Sequence, residues 1–210
     1  MTMRILLLPF LTLLLSAQTP DPRPVIAFLG DSLSEGMGVA PGKSFPDVVQ
    51  RRLDRGGYKY KVVNLGVSGD TTTGGLGRLP YTLSLKPKIL VVELGGNDGL
   101  RGIPVSKSKA NIEQMIVRAQ KAGSQVMLAG MTLPPNYGPE YVKSFEAMYK
   151  DLATKYKVRL IPFLLEPIRA QYESRPGLMQ PDGIHPTAEG HELVADHVMR
   201  YLKLLLTKRT

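Results

Sequence analysis

Five short apolar runs punctuate the chain at intervals of about 30 residues: Val25–Gly30, Lys61–Gly66, Ile89–Gly95, Gln125–Met131 and Val158–Phe163. Val, Ile and Leu dominate them with little polar alternation, which is the pattern of strands buried on both faces. The intervening segments carry a helical period. Phe45–Arg55 places Phe45, Val48, Val49 and Leu53 on one face. Ser108–Ala122 opens near a cap at Ser106 or Ser108 and stops at Gly123, and Pro139–Tyr156 forms another helix. Thr187–Leu206 begins behind Pro186 with Thr187 as its cap. Thr73–Leu85 is a weaker helix, because its glycines and Pro80 cost helical stability. Strands alternating with helices imply parallel pairing and helices on both faces of one sheet. The expected fold class is α/β, a three-layer α/β/α sandwich around five parallel strands.

Chemistry-bearing residues sit just after those runs. Gly30-Asp31-Ser32-Leu33 follows the first, Ser68-Gly69 the second and Gly95-Gly96-Asn97-Asp98 the third, while Asp182-Gly183-Ile184-His185-Pro186 lies in the loop after the fifth. In open α/β sheets, ligands bind beyond the carboxyl ends of the strands, so all of these point to one edge. A serine hydroxyl becomes a nucleophile only when a base takes its proton. Of the three histidines, His191 and His197 lie within the last helix and read as exposed or satisfied surface residues; His185, in a turn, is the candidate base. Asp182, three residues earlier, can orient its imidazole, the plainer alternative being an Asx-turn acid that shapes the loop. Ser68 competes with Ser32 for the nucleophile, but a nucleophile elbow needs glycine at position 70, which is Asp70. Ser32 is the better candidate. The backbone N–H groups of Ser32 and Gly69, with the Asn97 amide, can receive the oxyanion. Asp31, Asp70 and Asp98 read as loop organisers.

Gly42-Lys43-Ser44 superficially suggests a phosphate loop, but the required glycine would fall at Met37. His191 and His197 are too far out of phase on a helix to share a metal, so neither a metal nor a cofactor is expected. The chain contains no cysteine, which removes thiol nucleophiles and disulfides.

With 210 residues, 43% hydrophobic and 21% charged, the chain suits a single domain, expected over residues 25–206. Arg4 followed by the apolar Ile5–Leu15 and the small Ser16-Ala17 has the layout of a cleavable signal peptide over residues 1–17, with a linker at 18–24. The expected destination is the periplasm or the exterior, without a lipid anchor, since Gln18 stands where a lipidated cysteine would be. The formal charge of +9 is spread over pairs such as Lys59 and Lys61, Lys86 and Lys88, and Lys157 and Arg159. No dense basic run or basic–aromatic array occurs, so nucleic acid is not expected as a partner. Solvated surface is the first reading of these lysines, and peripheral attraction to an anionic membrane the second. A monomer acting on a small ester or lipid is expected.

Gly30-Asp31-Ser32-Leu33, Gly69, Gly96-Asn97-Asp98 and Asp182-x-x-His185 together resemble the GDSL, or SGNH, hydrolases. The stretches Val92–Gly102, Pro134–Gly138 and Ser68–Thr72 resemble a subgroup of bacterial periplasmic esterases of broad tolerance. The resemblance implies a flavodoxin-like fold and metal-free hydrolysis of esters and thioesters through an acyl-serine. Acyl thioesters, aryl esters and lysophospholipids are the implied substrates. Leu100, Ile103, Pro134, Tyr137 and Met179 are candidates for lining an acyl groove, with ordinary loop packing the alternative. Competing readings are a carbohydrate O-acetyl esterase or an acyltransferase. A non-catalytic binding protein is disfavoured, because no catalytic group is missing.

Overall fold

Strand β1 (Val25–Gly30) lies inside a sheet and is flanked by a neighbouring strand on each side. The computed structural model describes residues 21–207, so the expected signal peptide and the start of the linker lie outside the described residues. In chain order the elements are α1 (Ser32–Glu35), α2 (Phe45–Arg55), β2 (Lys61–Gly66), α3 (Thr72–Ser84), β3 (Ile89–Glu93) and α4 (Gly96–Leu100). There follow α5 (Val105–Lys121), β4 (Gln125–Ala129), α6 (Pro139–Tyr156), β5 (Arg159–Ile161), α7 (Glu166–Arg169) and α8 (Ala188–Leu202). The strand order is β2-β1-β3-β4-β5, and every pairing is parallel. Helices α2 and α8 pack together on one face, and α3, α5 and α6 adjoin on the other. This is the expected α/β/α sandwich with a flavodoxin-like order, and its topological switch point falls between β1 and β3.

Local chemistry explains the boundaries. The Ser44 hydroxyl accepts from Asp47 N at the start of α2, whose Phe45, Val48, Val49 and Leu53 are buried. Each such side chain contributes roughly 1.5–3 kcal/mol by leaving water. Thr187 caps α8 as expected. The glycine-rich segment is helical in spite of Pro80, because Thr71 caps it and Arg78 anchors it, donating to the Leu65 and Gly30 carbonyls and pairing with Asp70. Helix α5 starts at Val105, ahead of the expected serine caps. Ser108 cannot cap it, since its buried hydroxyl donates to Asp98 at 2.9 Å.

Two further expectations are corrected. Strand β2 is half-buried along its length, because as an edge strand it has a neighbour on one side alone. His191 and His197 are buried rather than on the surface. His191 Nδ1 accepts from Phe45 N at 3.1 Å, its ring stacks on Phe45, and burial pulls its pKa down to about 4. The His197 ring nitrogen meets the Phe163 carbonyl at 3.2 Å. Both histidines therefore clamp α8 to its neighbours. Among the described residues no helix is long and apolar enough to cross a membrane.

Candidate active site

Ser32 is the first residue of α1, directly beyond the carboxyl end of β1, and only 8% of its surface is exposed. Asp31 holds it there: Asp31 Oδ1 accepts from Leu33 N at 3.0 Å and so caps the one-turn helix. The Ser32 hydroxyl lies 2.9 Å from His185 Nε2. His185 Nδ1 lies 2.7 Å from Asp182 Oδ2, which completes a chain of three groups.

The Asp182–His185 turn explains that geometry. Gly183 has φ of +67°, a conformation that glycine adopts without penalty. The chain thereby folds so that both Ile184 N and His185 N donate to Asp182 Oδ1, at 2.9 and 3.0 Å. Asp182 thus has one oxygen for the backbone and one for the imidazole. The His185 N–H first, then the imidazole and the Ile184 N–H, hold its pKa down to about 2. It stays ionised at every pH where an imidazole ordinarily titrates.

Gly69 and Asn97 line the same cleft as Ser32 and His185. The turn bearing Gly69 is held from two sides. Glu35 accepts from Ser68 N at 2.7 Å and from the Ser68 hydroxyl, and Arg101 donates to the Gly69 carbonyl at 2.9 Å. Asn97 projects from α4, and its amide donates to Asp31 Oδ2 at 3.1 Å, which leaves its second N–H for a ligand. The entry to α4 needs Gly95: a Cβ there would stand 2.3 Å from the Tyr149 hydroxyl, which donates to the Leu94 carbonyl. The three expected acidic organisers have distinct partners. Asp98 receives the Thr72 and Ser108 hydroxyls, Asp70 pairs with Arg78, and Asp31 joins the nucleophile turn to Asn97.

Beneath Ser32 lies a residue that sequence reasoning missed. Glu93 ends the otherwise apolar β3 and is fully buried. Its Oε2 accepts from Asp31 N at 3.2 Å and from the Ser34 hydroxyl at 2.7 Å, while Oε1 has no protein partner. Loss of water pushes Glu93 well above the usual carboxylate range, and the neighbouring Asp31 charge pushes it further. Burial likewise raises Asp31, to about 6, against its hydrogen bonds to Leu33 and Asn97. A glutamate closing a Val- and Leu-rich strand was the available signal.

The cleft has a volume of about 420 Å³, and its apolar walls come from Leu33, Met37, Leu100, Met131 and Ile184. Of the five residues expected to line a groove, only Leu100 does so. Tyr137 instead donates to the Leu100 carbonyl, the Ile103 carbonyl receives the Tyr141 hydroxyl, and Met179 pairs in a short bridge with Pro186. Pro134 precedes the short 3-10 turn Pro135–Tyr137. These four shape the loops behind the cleft. Met131 also borders a second groove of about 600 Å³, walled by Leu160, Pro162, Phe163 and Tyr201. Among the described residues no cluster of metal-ligating side chains occurs.

The sequence model of the GDSL-like lipase/acylhydrolase family matches residues 28–193. Esterase TesA of Pseudomonas aeruginosa is 42% identical over 179 residues, covering 85% of this chain and 87% of that protein. Thioesterase 1/protease 1/lysophospholipase L1 of Escherichia coli K12 is 36% identical over 200 residues, 95% of this chain and 93% of its own. Among solved structures, the psychrotrophic esterase EstA from Pseudoalteromonas, inhibited by monoethylphosphonate, superposes with a TM-score of 0.80 at 31% identity, covering 86% of this chain and 97% of that one.

Proposed function

The chain belongs to the GDSL-like lipase/acylhydrolase family and is a serine ester hydrolase, and from that premise we propose that Ser32, His185 and Asp182 perform the chemistry. The observation that carries the assignment is the continuous contact from Ser32 Oγ through His185 to Asp182. His185 Nε2 takes the Ser32 proton as Oγ bonds to the acyl carbon. The carbonyl π pair moves onto oxygen, and that oxyanion is received by the N–H groups of Ser32 and Gly69 and by Asn97. The imidazolium, steadied by ionised Asp182, then protonates the departing alcohol or thiol as the tetrahedral centre collapses. Water repeats both steps on the acyl-serine and regenerates the enzyme.

The substrates in this proposal are carboxylic esters and thioesters with an extended acyl chain, including aryl esters and lysophospholipids. Two features support the chain length. The cleft is largely apolar, and Met131 separates it from the second groove, so a long acyl chain can pass over Met131 toward Phe163. The names of the relatives support the leaving groups. The apolar leader over residues 1–17 supports export of a single domain spanning residues 25–206.

The test is hydrolysis of p-nitrophenyl esters from acetyl to palmitoyl by the mature protein beside Ser32→Ala. Activity is expected to rise toward medium or long chains and to vanish in Ser32→Ala, which still unfolds cooperatively. A variant lacking the Ser32 hydroxyl that retains turnover would overturn the nucleophile assignment. A sharp preference for acetyl would overturn the long-chain reading.

A further inference from the structure

Opposite the catalytic edge, the connections from helices back into strands form a second edge. Lys61 N donates to Pro24 O, Lys88 N to Val25 O and Gln125 N to Lys88 O, which stitches the entrances of β2, β1, β3 and β4 together. The fold gathers Lys59, Lys61, Lys86, Lys88, Lys157 and Arg159 there, at the starts of β2, β3 and β5. Lys61 is half-buried and the other five are exposed. Lys59 and Lys88 line one recess with Thr207, and Lys157 and Arg159 line another with Leu205, so a single C-terminal segment adjoins both.

Among the described residues none of these six cations is in a salt bridge. The nearby carboxylates Asp21 and Asp54 are both engaged by Arg23, and of the six cations Lys61 also acts on Asp21 through its charge. The catalytic edge is mixed by contrast, with Glu35 and Arg101 both holding the Ser68-Gly69 turn and Asp182 on His185.

Backbone geometry supplies an independent observation. Among the described residues, only Lys86 and Lys157 combine a side chain with positive φ, at +48° and +52°. Glycine adopts that conformation without steric cost, whereas a lysine strains the backbone. The chain therefore carries a cation at two places where glycine would relieve strain, and both are on this edge. Both positions close helices, α3 and α6, where the left-handed conformation is the usual ending and glycine the usual residue, so a cation stands at each in place of the commoner glycine.

We propose that this lysine edge docks onto an anionic phospholipid bilayer, with the catalytic cleft directed away from the lipid. Five of the six cations are lysines, whose compact ammonium suits a diffuse field of lipid charge, while planar bidentate recognition favours arginine. The proposal is independent of the catalytic assignments, because it uses none of those residues.

The experiment is co-sedimentation of the mature protein with phosphatidylcholine vesicles, with and without phosphatidylglycerol, at low and at physiological salt. Binding is expected only with phosphatidylglycerol and weakens with salt. Each cation at an anionic surface is worth about fivefold in partition, so Lys86→Gly with Lys157→Gly lowers binding about 25-fold. The same double variant gains a few degrees in Tm as the strain is relieved. Lys59→Gln with Lys88→Gln lowers binding similarly, whereas Lys43→Gln with Lys107→Gln, at the starts of α2 and α5 on the catalytic edge, leaves it unchanged. Vesicle-bound enzyme continues to hydrolyse a water-soluble ester. Undiminished binding by the double glycine variant, or an equal loss in Lys43→Gln with Lys107→Gln, overturns the assignment of the edge. Binding to duplex DNA as tight as to vesicles at equal salt overturns the lipid assignment. Arrest of soluble-ester turnover on vesicles overturns the orientation.

Discussion

Asp31→Asn separates stability from catalysis at the nucleophile turn. Asp31 is 3% exposed, and burial lifts its pKa from 3.8 to about 6 in the fold. A carboxyl with a raised folded pKa supports the fold fully below its unfolded value, near 3.8, and loses that support as pH rises through about 6. At about 1.4 kcal/mol per unit, the gap of roughly two units makes ionised Asp31 cost on the order of 3 kcal/mol at neutral pH. Asparagine has nearly the same shape and no charge to desolvate. The variant is expected to match the wild type near pH 4 and to exceed it by about 3 kcal/mol at pH 7.5, or about 6–12 °C in Tm. Glu93 lies against Asp31 and titrates with it, so the measured step belongs to the pair.

Catalysis moves the other way. Asp31 uses one oxygen for Leu33 N and the other for Asn97, and a carboxamide has a single acceptor oxygen for both. With Asn97 no longer held, kcat is expected to fall about 10- to 100-fold with little change in KM, approaching the loss of one oxyanion donor. Urea unfolding at pH 4 and 7.5, with ester hydrolysis at the higher pH, measures both effects. A stability difference that does not change with pH would refute the desolvation argument, and unaltered kcat would refute the link from Asp31 to Asn97.

Three further perturbations address other parts of the site. Asn97→Ala is expected to lower kcat about 100-fold or more at similar KM in steady-state hydrolysis, by removing an oxyanion donor. Asp182→Asn keeps an acceptor for the two backbone N–H groups but turns an amide donor or a weaker acceptor toward His185 Nδ1; kcat is expected to fall at least about 100-fold while urea unfolding is little changed. Tyr149→Phe removes a buried donor to the Leu94 carbonyl at the entry to α4, and is expected to cost roughly 1–2 kcal/mol in thermal unfolding.

Much of the fold was legible in the chain. Runs of Val, Ile and Leu mark strands without regard to their neighbours, so β1 and β2 begin and end where the pattern places them. The candidate acyl-transfer residues were legible for a similar reason: each follows a strand, and parallel strands share one carboxyl edge. Side-chain surroundings were less legible. His191 and His197 occupy an amphipathic helix in the manner of surface residues, but α8 is covered by α2 and by the Phe163 segment. The cleft walls were displaced for a related reason. Apolar loop residues such as Ile103 and Tyr137 brace the backbone behind the cleft, whereas Met131 and Ile184 reach into it through the path of the chain in space.

The sequence by itself determined the alternation of elements, the class of reaction and the candidates for nucleophile and base, because these depend on local period and on short motifs. Only the tertiary structure decided what lies beneath and behind them. Glu93 and Asp31 are 62 residues apart, and their joint effect depends on a shared loss of water that no spacing encodes. The lysine pairs likewise look scattered along the chain. Parallel strands bring their starting points side by side, and cations separated by helix-length segments thereby share one edge of the sheet.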